Sequence, residues 1–284
     1  MKKKLIIILS VFAAVVLSFL VYSHFENTII EVTKYTVSSD RLPEAFDGYK
    51  IVQVSDLHSA DFGDGHRQLI SKIKGCKPDI IVVTGDLCAS DKSEDIDSAL
   101  LFMEKALKVA PVYYITGNHE VYLSKYMILM ARIDDLGVTI LNDDKVSISI
   151  GNESIDLIGF SDPRFVGGSE KVERAEIKNK LDRFNPSGEK YTILLSHRPE
   201  MLSLYSRYNI DLVFTGHAHG GQIRLPFIGG LYAPGQGVFP KYTDGVHEKN
   251  GTTMIISRGI GSSIFPFRIN NNPEIISVTL KKAR

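Results

Sequence analysis

The stretch Lys50-Ile51-Val52-Gln53-Val54-Ser55-Asp56-Leu57-His58 is an apolar run of strand length that ends in a carboxylate and an imidazole. Outward from it the same arrangement recurs. Ile80 to Thr84 leads into Gly85-Asp86, Val112 to Thr116 into Gly117-Asn118-His119-Glu120, Tyr191 to Ser196 into His197, and Leu212 to Thr215 into Gly216-His217-Ala218-His219. Every polar cluster follows the C-terminal end of an expected strand, which is where open α/β sheets place their sites.

Carboxylate and amide oxygens with imidazole nitrogens, and no thiolate, suit a hard-to-borderline divalent metal. On an extended segment Asp-x-His or His-x-His points both side chains to one face, so each pair reaches a shared pocket. Glycines before Asp86, Asn118 and His217 let the chain turn sharply off the sheet. A lone Asp-x-His is commonly a surface loop and a lone Gly-Asp a turn. The ordered set is what carries weight, because burying so many polar groups together is costly unless metal ions make them ligands.

Strand-like runs at Ser154 to Phe160, Thr252 to Ser257 and Ile275 to Leu280 extend the series, and helices are expected at Ser93 to Lys108, with Ser93 as cap, and at Ser124 to Leu136. The alternation predicts two packed sheets covered by helices. Gly220 to Gly251, dense in Gly, Pro and aromatic residues, reads as a long ordered loop. Cys76 and Cys88 flank the Ile80 strand, about 20 Å long, so they are expected to stay unbonded.

Asp-x-His, Gly-Asp, Gly-Asn-His-Glu, a lone His and Gly-His-x-His in this order resemble the signature of the calcineurin-like metallophosphoesterase family over about residues 50 to 220. The resemblance implies an α/β fold, a four-layer αββα sandwich of two mixed sheets flanked by helices. It also implies two divalent metal ions, of which manganese, iron and zinc are the leading choices. Asp56, His58 and His219 would bind one, Asn118, His197 and His217 the other, and Asp86 would bridge them. The implied reaction is hydrolysis of phosphate mono- or diesters by a hydroxide between the metals, with His119 stabilising the transition state or protonating the leaving group. Gly220-Gly221-Gln222-Ile223-Arg224-Leu225-Pro226 resembles the exported or membrane-associated branch, which brings lipid-linked pyrophosphates into the substrate class. The Asp-Arg-Gly element of the protein phosphatase branch is absent, since Leu87-Cys88-Ala89-Ser90 follows Asp86.

Lys2, Lys3 and Lys4 precede Leu5 to Tyr22, a run with no charge that is interrupted only by Ser10 and Ser18. Its length, roughly 27 Å as a helix, matches a bilayer's hydrocarbon core. The expectation is a single-pass membrane anchor and short linker over residues 1–27, with the N-terminus cytoplasmic and a phosphoesterase domain over 28–284 outside. A cleaved signal peptide ending at Val21-Tyr22-Ser23 is the rival reading. Lys and Arg total 33 against 33 for Asp and Glu, so no nucleic-acid partner is expected.

Arg164, Arg198, Arg224 and Arg258 are candidate phosphate clamps, Arg198 foremost because it adjoins His197. Phe227, Leu231, Tyr232, Phe239 and Phe265 to Phe267 would either wall a lipid-like substrate or fill core. His24 reads as interfacial, His66 as an exposed helix cap and His247 as structural or exposed, while Asp143 and Asp144 read as a turn. The competing functional class is a metal-dependent sensor or binding module without turnover. An amide-cleaving metallohydrolase would use a His-x-His-x-Asp-His cluster, and the chain has none.

Overall fold

The computed structural model describes residues 2–262 and 267–283; the side chains of residues 2, 19, 20 and 24 are outside the description, and with them the role expected of His24, as is Phe265. Helix α1 (Lys2–Thr28) is exposed along residues 3–18 and is long and apolar enough to cross a membrane. There follow β1 (Glu31–Ser39), β2 (Lys50–Val54), α2 (Arg67–Cys76), β3 (Ile80–Thr84), α3 (Ser93–Leu107), β4 (Val112–Ile115), α4 (Tyr126–Asp135) and β5 (Thr139–Ile140). Next come β6 (Asp144–Ile150), β7 (Glu153–Gly159), α5 (Glu170–Phe184), β8 (Thr192–Leu195), α6 (Leu202–Tyr205) and β9 (Leu212–Thr215). Two small hairpins, β10 (Arg224–Leu225) with β11 (Gly229–Gly230) and β12 (Tyr232–Ala233) with β13 (Gly237–Val238), precede β14 (Gly245–Lys249), β15 (Thr252–Ile256) and β16 (Glu274–Lys282).

The long strands form two six-stranded mixed sheets. One has the order β1-β16-β2-β3-β4-β5, with β2 to β5 parallel and the C-terminal β16 inserted antiparallel to β2. The other has the order β14-β15-β9-β8-β7-β6, with a parallel centre and antiparallel edges. Alternation sends successive strand residues to opposite faces. Ile51, Ile80 and Val82 therefore meet Ile193, Leu195, Leu212 and Phe214 between the sheets. Val52, Val54, Ile81 and Val83 pack outward on Leu69, Ile73, Phe102, Met103, Leu129 and Ile133 of α2 to α4. On the far side Leu194, Val213, Met254 and Ile256 pack on Ile177 and Leu181 of α5 and Leu202 and Tyr205 of α6. The architecture is an α/β sandwich of two mixed sheets flanked by helices, with central strands buried on both faces.

Cys76 and Cys88 are buried and unbonded, as expected. Ser93 is the first residue of α3 and not its cap, since Lys92 occupies that position without a side-chain bond. The expected loop from Gly220 to Gly251 is partly regular, holding the two hairpins and β14. Asp143 does turn the chain, with φ 61°, but Asp144 already begins β6.

Candidate active site

The parallel centres of both sheets end at one place, and Gln53 ties them there: its Nε2 donates to Thr84 Oγ1 at 2.9 Å and to the Thr215 carbonyl at 2.8 Å. Just beyond, Asp56, His58, Asp86, His217 and His219 all take positive φ, from 46° to 67°. This differs from the extended geometry that alternation implies. The pairs reach one pocket because left-handed residues fold the chain back at each strand end, a conformation that His and Asp tolerate and that is common at functional sites.

Close approach of these loops depends on glycine. A Cβ on Gly117 would lie 2.2 Å from Asp86 Oδ1, and one on Gly216 would lie 1.9 Å from Ser55 Oγ. Asp86 consequently sits against the Gly117 loop, and its Oδ1 accepts the His119 amide at 2.8 Å. Asp56 is held likewise, accepting the His217 amide at 3.2 and 3.1 Å.

Two sets of buried donors result. In Asp56, His58, Asp86 and His219 the potential ligand atoms lie within 4.8 Å of one another, and the same holds for Asp86, His197 and His217, so Asp86 belongs to both. His58 Nε2 and His219 Nε2 are 3.3 Å apart, and His219 Nε2 is 3.3 Å from Asp56 Oδ1. Asp86 Oδ2 lies 3.2 Å from His197 Nε2 and 3.7 Å from His58 Nε2. His197 Nδ1 stands 2.7 Å from the Thr84 carbonyl, an acceptor only, so Nδ1 carries a proton and Nε2 turns towards Asp86. Asn118 Oδ1 and His197 Nε2 are buried and have no hydrogen-bond partner. Electron pairs converging at these distances, with orphaned buried atoms among them, fit divalent cations.

The electrostatics agree. Burial holds His58 down at about 4 and pushes His217 and His219 well below the usual imidazole range, which keeps these rings neutral as ligation requires. Burial raises Asp56 to about 6. For His197 burial is outweighed by Asp86, so the ring stands at about 10 and the carboxylate well below its ordinary value.

His119 stands at the rim, its Nε2 4.0 Å from Asp86 Oδ2 and its ring edge-on to His58 with centroids 4.5 Å apart. It lines a cavity of about 380 Å³ with Asn118, Tyr122, Arg164, Glu170 and His217. A second cavity of about 350 Å³ reaches His58 from the side of Asn27, Phe62, Gln68 and Ile260.

Arg198 is buried and held by Asp162, to which Nε and Nη2 donate at 2.7 and 2.8 Å, with Nη1 3.2 Å from His217 Nε2. It braces a ring of the site with a guanidinium already committed to a carboxylate. Arg224 pairs with Asp244 and Arg258 with Glu274 and Glu31, and neither lines the two cavities, whereas Arg164 lines the larger one while pairing with Glu173. His66 is fully buried at the start of α2, its Nε2 2.8 Å from the Ser98 carbonyl, and not an exposed cap. His247 is structural, its Nε2 3.0 Å from the Asp244 carbonyl. Phe227, Tyr232, Phe239 and Phe267 are exposed and absent from both cavities, so they wall neither. The residue that sequence reasoning passed over is Glu120. Fully buried, it accepts the amides of Leu87 at 2.6 Å and Cys88 at 3.3 Å on Oε1, and those of Asp86 at 3.0 Å and Gly117 at 2.7 Å on Oε2. An acidic residue directly after Asn-His was the available signal.

Two buried His and Asp sets sharing one carboxylate, at the C-terminal ends of facing sheets, are a binuclear divalent-metal site of the hydrolytic kind. The chain belongs to the calcineurin-like phosphoesterase family, whose model matches residues 49–221, and its activity is that of a metal-dependent phosphoesterase. It is 31% identical over 262 residues to the uncharacterized metallophosphoesterase YkuE of Bacillus subtilis, covering 91% of this chain and 88% of that one. The phosphodiesterase YaeI of Escherichia coli is 27% identical over 238 residues, 82% of each chain. A transmembrane protein with metallophosphoesterase domain from Bos taurus is 28% identical over 89% of this chain and 57% of its own length. Among solved structures, the sulfate thiohydrolase SoxB of Thermus thermophilus shares the fold, with a TM-score of 0.52 at 12% identity over 84% of this chain and 57% of that one.

Proposed function

We propose that the protein is a membrane-tethered phosphodiesterase in which Asp56, His58 and His219 hold one divalent cation, Asn118, His197 and His217 hold the second, and Asp86 holds both. The observation that carries the diester reading is access from two sides: His58 borders one cavity while Asn118, His119 and His217 border the other. A diester has two substituents to accommodate, one for each cavity, where a monoester has one. Cations bound there supply Lewis-acid polarisation of phosphoryl oxygens and acidify water. Nitrogen and oxygen donors suit manganese, iron or zinc. His119 borders the roomier cavity, which supports its ring as proton donor to the departing oxygen.

Tethering is supported by α1 and by the transmembrane relative. The three lysines before the apolar run orient the N-terminus to the cytoplasm and the domain to the outer side. From Tyr22 to Thr28 the helix rises only about 9 Å, so the domain begins at headgroup level and lipid-linked phosphates come within reach. Zero net charge supports no nucleic-acid partner. The test compares bis-p-nitrophenyl phosphate with p-nitrophenyl phosphate on manganese-loaded full-length protein in detergent. A higher kcat/KM for the diester is expected, and a preference for the monoester sinks the reading.

A further inference from the structure

The two small hairpins after His219 carry four strongly exposed apolar side chains. Phe227 is 109% exposed, Ile228 62%, Val238 63% and Phe239 62%. Apolar side chains exposed together on two connected hairpins mark an interaction surface where scattered single residues would not. Phe227 and Phe239 also both hold positive φ, 66° and 54°, a backbone state that bulky side chains avoid. The chain thus accepts an unfavourable backbone at two aromatic residues whose rings contribute nothing to its core.

The location of the hairpins identifies their partner. Asn270 receives the Tyr22 hydroxyl on Oδ1 at 2.8 Å, and its own amide donates back to Tyr22 at 3.2 Å. Its Nδ2 donates to the Arg224 carbonyl at 3.1 Å. Tyr22 closes the apolar run of α1, and Arg224 opens the hairpin that bears Phe227 and Ile228. One asparagine therefore joins the base of this hairpin to the level at which the helix leaves the hydrocarbon. The second hairpin is tied to the first at Leu231, whose carbonyl accepts the Phe239 amide at 2.9 Å and whose own amide donates to the Ile223 carbonyl at 2.8 Å. Aromatic and aliphatic side chains at such a level favour the membrane interface.

We propose that Phe227, Ile228, Val238 and Phe239 insert into the outer leaflet beside α1, so that helix and hairpins together form a two-point lipid contact. The inference rests on α1 being a membrane anchor. Its consequence is orientation: the first hairpin packs on Gly221, where a Cβ would lie 2.4 Å from Gly230 Cα, two residues from His219. The leaflet contact is thereby linked to the loop of the site.

The chain contains no tryptophan, so a single introduced indole is a sole reporter. Full-length Phe227→Trp and Phe239→Trp, reconstituted in phosphatidylcholine vesicles, are read for quenching by doxyl-labelled lipid and by aqueous iodide; Phe12→Trp reads the helix. Both hairpin positions are exposed, so the fold tolerates the exchange. Doxyl quenching and a blue shift at residues 227 and 239, as at 12, are expected. Iodide quenching at 227 and 239 with doxyl quenching at 12 overturns the hairpin contact and leaves the tether standing. Protection from both quenchers at 227 and 239 assigns the patch to a protein partner or second copy and overturns the proposal. Failure of doxyl to quench residue 12 removes both readings.

Discussion

Glu120 Oε2 accepts the backbone amide of Asp86 at 3.0 Å, so the carboxylate shared by both donor sets is oriented from behind by a second, fully buried carboxylate. The same side chain takes Leu87, Cys88 and Gly117, clamping the Asp86 loop to the Asn118 loop.

Glu120→Gln turns an amide donor towards two of those four N–H groups and leaves them unsatisfied. A loss of about 1–3 kcal/mol is expected, read as a lower urea midpoint at unchanged slope. Metal content should fall together with stability, because the residue orients a proposed ligand. Full metal occupancy with ordinary stability would show that the clamp has no such role.

Gly117→Ala attacks the same junction from the front. Its methyl would sit 2.2 Å from Asp86 Oδ1 and 2.5 Å from Asp86 N, so the carboxylate must move. Metal affinity is expected to drop by about 10–100-fold, the size of effect seen when a ligand's support is removed, measured by competition with a chromophoric chelator.

Removing divalent ions with EDTA is expected to lower the melting temperature and abolish activity, with manganese restoring both. Binding at a hundred times Kd stabilises by about 2.7 kcal/mol per site. The buried unpartnered Asn118 Oδ1 and His197 Nε2 are the atoms that gain partners. Scanning calorimetry with and without chelator settles it, and identical transitions would contradict the metal reading.

His66 lies apart from the metal cluster, and burial pushes its pKa below the ordinary 6.5 despite Ser98 and Asp61 nearby. The folded state holds the ring neutral while the unfolded chain protonates it. The stability it contributes is therefore complete above about pH 6.5 and lost as pH falls below that value. His66 has φ 61°, which asparagine tolerates. His66→Asn should thus reduce the fall in melting temperature between about pH 7 and 5 relative to wild type; equal pH slopes would refute the assignment.

Central strands were legible because burial on both faces demands uninterrupted Ile, Val and Leu, as at Ile80 to Thr84. Strand β6, an exposed edge, and α5, whose apolar stripe narrows to Ile177 and Leu181, were not, since each mixes polar and apolar residues. The setting of Arg198 was half legible for a related reason: adjacency to His197 is visible in one dimension, whereas Asp162, its partner, is 36 residues away.

Residue order alone determined the chemistry available to this protein: which strands end in Asp, Asn or His, and that an apolar run with basic flank precedes them. Only the tertiary structure decided that the left-handed turns after β2, β3 and β9 aim those groups at one another, that Glu120 faces inward and that Phe227 faces out. The physical reason is that identity and spacing are local, whereas a shared pocket exists only where two sheets packed through Ile51, Ile193 and Phe214 bring distant strand ends to a common edge.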